Sequence, residues 1–128
     1  MTVMIVDDSA EMRRLLCDLV APMSQAVVEC VDGQDCVDRF AACQPEWTIM
    51  DVHMPRLDGL GATREVCARW PEAKVLLVSH FMSPAMEAAA GRAGAVGCLS
   101  KDELYRVVEL MTPQARAAGM LAPPTKPG

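Results

Sequence analysis

Residues 47–59 run Trp47-Thr48-Ile49-Met50-Asp51-Val52-His53-Met54-Pro55-Arg56-Leu57-Asp58-Gly59. The first four form a short uncharged run with the length and chemistry of a buried strand. It ends on a single acid, Asp51. Beyond it, Pro55, Asp58 and Gly59 bring turn chemistry and the start of a helix. The expectation is a strand over 47–52, a turn, and a helix carrying Leu60, Thr63, Val66, Cys67 and Trp70 that stops at Pro71.

The same unit repeats on both sides. Upstream, Val3-Met4-Ile5-Val6 ends on the adjacent acids Asp7-Asp8, and Met12, Leu15, Leu16, Leu19 and Val20 then recur at helical spacing as far as Pro22. A second strand is expected over 26–30, followed by a turn at Asp32-Gly33 and a helix carrying Cys36, Val37, Phe40 and Ala41. Downstream, the run over 74–79 ends on Ser79. Ser83-Pro84 reads as an N-cap with proline in the first helical position. Met86, Ala89, Ala90 and Ala93 line the helix that follows, which ends near Gly94. The last strand is expected over 96–99, just before Lys101, with Asp102 capping a helix that carries Leu104, Val107, Val108 and Met111 and stops at Pro113.

Strict alternation of strand and helix is the pattern of a parallel sheet with helices on both faces and right-handed crossovers. In such sheets the ligand crevice lies at the carboxyl ends of the strands, where the winding reverses. Asp7-Asp8, Asp51, Ser79 and Lys101 all fall at that edge.

Composition sets the frame. The 128 residues suit one domain, assigned to residues 1–112, with 113–128 expected to be a proline-rich flexible tail or linker stub. Just over half the residues are apolar, but only two Trp, two Phe and one Tyr are aromatic, so the core must be built from aliphatic side chains, Met and Cys. A formal charge of −5 argues against a general nucleic-acid surface. Six cysteines at 17, 30, 36, 43, 67 and 98 include no C-x-x-C pair and fall mostly at apolar positions, which predicts reduced, buried thiols. With no apolar run of membrane-spanning length and no basic-then-apolar leader, a cytoplasmic protein is expected.

The clustered acids define the chemistry. Three carboxylates brought together repel one another and need a cation or protons to be tolerated. Oxygen ligands of this kind prefer Mg²⁺, or Mn²⁺, to zinc. With an ion in place, one carboxylate can attack phosphorus while a lysine draws charge from the phosphoryl oxygens. Asp51, the lone central acid, is the candidate nucleophile, Lys101 the point charge, and Ser79 a hydroxyl donor. Asp7-Asp8 alone would read equally well as a helix cap. It is the convergence with Asp51 and Lys101 that points to a site.

Taken together these motifs resemble the receiver domain of bacterial two-component response regulators. The resemblance runs from Val3 to about Met111 and rests on Ile5-Val6-Asp7-Asp8, on residues 50–59, on Val78-Ser79, and on Ala93-Gly94-Ala95-Val96-Gly97 leading to Lys101. It implies a flavodoxin-like (βα)5 fold with strand order 2-1-3-4-5. It further implies that Asp51 accepts a phosphoryl group from a histidine kinase or histidine phosphotransfer domain. Asp8 and Asp51 would hold Mg²⁺ directly with the backbone carbonyl of His53, and Asp7 would act through water. Ser79 and Lys101 would reorient onto the phosphoryl oxygens. The output implied is altered binding of a protein partner through helix four, strand five and helix five, where Arg92, Glu103, Tyr105, Arg106 and Glu109 are candidate contacts. The chain would be a monomer or a phosphorylation-dependent dimer, catalysing only its own phosphorylation and dephosphorylation.

Three neighbours of the site depart from that family pattern. Cys98 stands where a Tyr or Phe commonly rotates inward, so the expectation is that signalling relies on helix four and its loop. His80 stands where Ala or Gly usually leaves the acceptor open, and Phe81 presents an apolar ring at a position that tunes acyl-phosphate hydrolysis. A stand-alone receiver is expected, with a fragment of a longer DNA-binding regulator as the alternative. Two other classes fit less well. An aspartyl phosphohydrolase would carry its nucleophile on the first strand, and a phosphorylation-independent scaffold would not need the full set of site groups.

Overall fold

A computed structural model describes residues 1–112 of the chain. The proposed tail over 113–128, and Pro113 as a helix stop, lie outside the described residues. Five parallel strands, β1 (Thr2–Val6), β2 (Ala26–Cys30), β3 (Trp47–Asp51), β4 (Lys74–Ser79) and β5 (Gly97–Ser100), form one sheet in the order β2-β1-β3-β4-β5. This is the flavodoxin-like order expected from the resemblance. Helices α1 (Ala10–Val20), α2 (Gly33–Cys43), α3 (Gly59–Arg69), α4 (Pro84–Ala93) and α5 (Val107–Met111) connect and cover the strands.

Period-two alternation along the strands sorts their side chains to two cores. Val3, Ile5, Ile49, Leu76, Val78 and Leu99 pack with Leu16 and Val20 of α1 and with Val107, Leu110 and Met111 of α5. Met4, Val6, Met50, Val75, Leu77 and Cys98 pack on the other face with residues of α2, α3 and α4, including Phe40, Val66 and Ala90. Because both faces are covered, the central strands read as near-continuous apolar runs. Phe40 and Trp70 stack with ring centroids 4.9 Å apart, a rare aromatic contact in this aliphatic core.

Register carries the strand ends to one edge. Val6 pairs with Met50, Asp51 with Val78, and Ser79 with Ser100. The residues just past β1 and β5 therefore stand level with the last residues of β3 and β4. From β1 the chain winds outward to β2 and then returns past β1 to β3, so Asp7 and Asp51 flank the point where the winding reverses.

Helix starts at this edge are capped by side chains. Ser9 accepts from the Met12 N–H at 3.2 Å, Asp32 from Asp35 at 2.8 Å, Asp58 from Gly61 at 2.8 Å and Ser83 from Met86 at 3.1 Å. Pro84 sits in the first turn of α4 as expected, and Gly94 ends it with φ 107°. The left-handed backbone there favours glycine, and a Cβ would also press on Cys67.

Several boundaries differ from expectation. Strand β3 ends at Asp51 and not at Val52, although the Val52 N–H still reaches the Val78 carbonyl at 2.9 Å. Strand β5 is shifted one residue, to Gly97–Ser100. Asp102 does not cap the last helix. Ser100 caps a 3₁₀ segment, Lys101–Arg106, interrupted by non-helical backbone at Glu103, and regular helix begins only at Val107. Leu15, expected on the buried face of α1, is 46% exposed. Ala41 of α2 is exposed as well.

The cysteines divide evenly. Cys30, Cys36 and Cys98 are buried, while Cys17, Cys43 and Cys67 are half-buried, and all six are free thiols. Burial pushes the thiols of Cys30, Cys36 and Cys98 up, that of Cys98 to about 11, so these three are protonated core side chains at neutral pH.

Candidate functional site

Asp7 follows the last residue of β1 and is fully buried. Its Oδ1 accepts from the Ser9 N–H at 2.9 Å, and its Oδ2 lies 3.3 Å from Lys101 Nζ. Burial raises the Asp7 pKa above the ordinary carboxylate value, and the nearby Asp51 charge adds to this. The Ser9 N–H and Lys101 pull the other way without cancelling it.

Asp51 closes β3 and is 5% exposed. Its Oδ1 lies 3.2 Å from the same Lys101 ammonium, whose side chain is 8% exposed. Lys101 thus bridges the two buried acids from the first residue past β5. Asp8 is exposed at the rim, and one oxygen from each of Asp7, Asp8 and Asp51 falls within 4.8 Å of the others. Three carboxylates facing one ammonium leave a net negative, oxygen-only cluster. That donor set fits a hard divalent cation.

Ser79 ends β4 and is fully buried. Its hydroxyl donates to the Phe81 carbonyl at 3.1 Å and accepts from the Phe81 N–H at 3.3 Å. It is brought to the right edge but is engaged with its own loop. His80 and Phe81 are exposed, Phe81 to 85%. Cys98 is buried beneath α4, in the core that includes Ala90 and Leu77. His53 lies on the exposed loop after β3.

Three further residues support the site and were not singled out from the sequence. Arg13, one turn into α1, donates from Nη1 to the Asp7 carbonyl at 2.8 Å and from Nε to Glu29 at 3.0 Å. Arg56, in the loop after Asp51, forms a two-pronged ion pair with Asp32: Nε to Oδ2 at 2.7 Å and Nη2 to Oδ1 at 3.1 Å. The Arg56 hydrogen bonds hold the Asp32 pKa below the usual carboxylate range. For Asp32 the only sequence signal was the Asp32-Gly33 turn. Nothing in the local sequence around Arg13 or Arg56 marks either as a partner of the site.

Comparison with known proteins gives a consistent result. The family model for the response regulator receiver domain matches residues 3–111. A protein-glutamate methylesterase/protein-glutamine glutaminase of Symbiobacterium thermophilum is 35% identical across 98% of this chain, which spans only 40% of that protein's length. The chemotaxis protein CheY of Thermotoga maritima is 33% identical, across 85% of this chain and 92% of its own. Among solved structures, the response regulator domain of Thermotoga maritima CheB superposes with a TM-score of 0.76 at 27% identity, covering 96% of this chain and 98% of its own.

Proposed function

The chain belongs to the response regulator receiver domain family, and from that premise we propose that it is a phosphorylatable switch in which Asp51 accepts a phosphoryl group from a histidine kinase or a histidine phosphotransfer protein. The observation that carries this reading is the Lys101 ammonium, 3.2 Å from Asp51 and 3.3 Å from Asp7 at the point where the sheet reverses its winding. An acceptor carboxylate and the cation that will meet the transferred phosphoryl oxygens are already in contact.

The acid cluster fits Mg²⁺, with Mn²⁺ as a substitute: Asp8, Asp51 and the His53 carbonyl would hold it directly and Asp7 through water. When bound, such an ion neutralises the carboxylates and withdraws charge from the phosphoryl oxygens. The protein's own groups do the rest. An Asp51 oxygen attacks phosphorus as the P–N bond to the donor histidine breaks, and the bonding pair leaves with the imidazole nitrogen. Lys101 follows the charge onto a phosphoryl oxygen, and the Ser79 hydroxyl exchanges the Phe81 carbonyl for another. Water later breaks the acyl phosphate, so the only reactions catalysed are on Asp51 itself.

Release of Phe81 by Ser79 offers a route from phosphorylation to the loop ahead of α4. Output then follows as altered binding of a protein partner on α4, β5 and the segment beyond, where Arg92, Tyr105 and Glu109 are exposed and Glu103 and Arg106 half-buried. We place this switch in the cytoplasm, as a monomer or a dimer formed on phosphorylation, without direct contact to nucleic acid. Among the described residues no helix is long and apolar enough to cross a membrane. The likeness to CheY supports output through a separately encoded protein partner as one reading. The 40% span of the methylesterase favours a second reading of the output, in which the receiver regulates an attached domain.

Phosphotransfer from a panel of the host's autophosphorylated histidine kinases tests the proposal. Rapid transfer from one or a few kinases, absent in Asp51→Asn, is expected. No transfer from any of them would refute it.

A further inference from the structure

The loop between β3 and α3 is held more tightly than its exposure suggests. At its ends, the Gly59 N–H donates to the Val52 carbonyl at 2.8 Å, and a Cβ at 59 would overlap the Asp51 carbonyl oxygen. At its tip, the Leu57 N–H donates to the Pro55 carbonyl at 2.8 Å, closing a three-residue γ-turn around Arg56. Arg56 has φ 67°, a conformation strained for any residue with a Cβ. Such strain persists only where the surroundings enforce it.

What enforces it here is the start of α2. The Gly33 N–H donates to the Leu57 carbonyl at 3.0 Å, and a Cβ at 33 would overlap that oxygen. Asp32, buried and already capping α2, receives both prongs of Arg56. The fork is planar and rigid, so it fixes the direction of the turn as well as its distance.

We propose that Arg56 and Asp32 are a positioning pair for the phosphoacceptor loop, holding the strained turn and with it the segment that carries the His53 carbonyl, so that the loop is already ordered when a divalent ion binds the acid cluster. Neither residue belongs to the acid cluster of Asp7, Asp8 and Asp51 itself. This deepens the reading of the site given above and rests on its metal-binding part. The pair spares the loop the ordering cost it would otherwise meet when an ion binds.

Titration of the intact protein with MgCl2 by calorimetry, alongside thermal melting, tests the proposal. Arg56 is 59% exposed on its side chain, so Arg56→Ala leaves a folded protein to measure. Asp32→Asn keeps an N-capping oxygen for α2 while losing the charge. Each variant is expected to weaken Mg²⁺ binding about tenfold, as for other groups that orient a metal ligand without touching the metal. The double variant should be no weaker than either alone. Arg56→Lys should recover only part of the loss, because one ammonium cannot replace the fork. Mg²⁺ affinity unchanged in Arg56→Ala, or losses that simply add in the double variant, would overturn the pair as a positioning device while leaving the metal site intact. No Mg²⁺ binding by the unsubstituted protein would overturn the metal-site reading itself.

Discussion

Lys101 Nζ lies 3.2 Å from Asp51 Oδ1, and both side chains are less than a tenth exposed. The contact joins the end of β3 to the first residue past β5, and the same ammonium serves Asp7 at 3.3 Å. Fold stability and readiness for chemistry therefore depend on one group.

Removing that cation should be costly. Lys101→Met leaves two buried carboxylates facing each other, and about 3 kcal/mol of stability is expected to be lost in urea denaturation without divalent ions. Adding Asp51→Asn should restore part of it, because the stranded charge is gone. Equal midpoints for Lys101→Met and the parent would contradict the pairing.

Asp7 sets a pH dependence whose sign follows from its raised pKa. Burial favours the protonated acid in the folded protein, so the folded state holds its proton to higher pH than the unfolded chain does. The contribution of Asp7 to stability is greatest below the unfolded value and falls as pH rises through the folded one. Without divalent ions, Asp7→Asn should therefore be more stable than the parent near neutral pH. Its advantage should shrink as pH falls toward the ordinary carboxylate range. Urea midpoints measured against pH check this, and an advantage that grew on acidification would oppose it.

Phe81 is 85% exposed, so its replacement should leave stability within about 0.5 kcal/mol and report on chemistry alone. An apolar ring at this position, two residues past Ser79, is expected to hinder alignment of the water that attacks the acyl phosphate. Phe81→Glu should shorten an acyl-phosphate lifetime of minutes or longer, measured as decay of labelled protein. His80→Ala should speed labelling by acetyl phosphate by less than tenfold, under about 1.4 kcal/mol of barrier. Unchanged decay in the first variant, or no rate gain in the second, would refute the corresponding role.

The relay can be followed by NMR. Ser79 bonds both the N–H and the carbonyl of Phe81, whereas Cys98 is a small side chain buried under α4. On adding beryllofluoride and Mg²⁺, amide shifts should be largest in residues 80–83 and α4, and smaller in β5. Strong changes in β5 with α4 still would overturn this.

The strand ends were legible because each apolar run stops on a polar residue of distinct chemistry. Strand β4 matches expectation at both ends, since its apolar run is unbroken and Ser83-Pro84 marks the next helix. Strand β5 slipped by one because Val96 has strand chemistry and Ser100 has cap chemistry, although the Val96 N–H still reaches the Val75 carbonyl at 2.9 Å. Ser100 and Asp102 are both good caps, and local sequence cannot choose between them. Leu15 was ambiguous for a related reason: it and Leu16 are neighbours, and only packing decides which faces the sheet. Asp32 and Arg56 lie in different loops, so nothing in either segment announces their contact. The acids of the site follow from topology and could be read; the groups that aim them follow from tertiary geometry and could not.

The central claim is that Asp51 carries the phosphoryl group. Intact-protein mass spectrometry after incubation with acetyl phosphate and MgCl2 tests it most directly. One phosphoryl group should be gained, lost on chelation of Mg²⁺ before incubation, and absent in Asp51→Asn. No gain in the parent protein, or the same gain in Asp51→Asn, would contradict it.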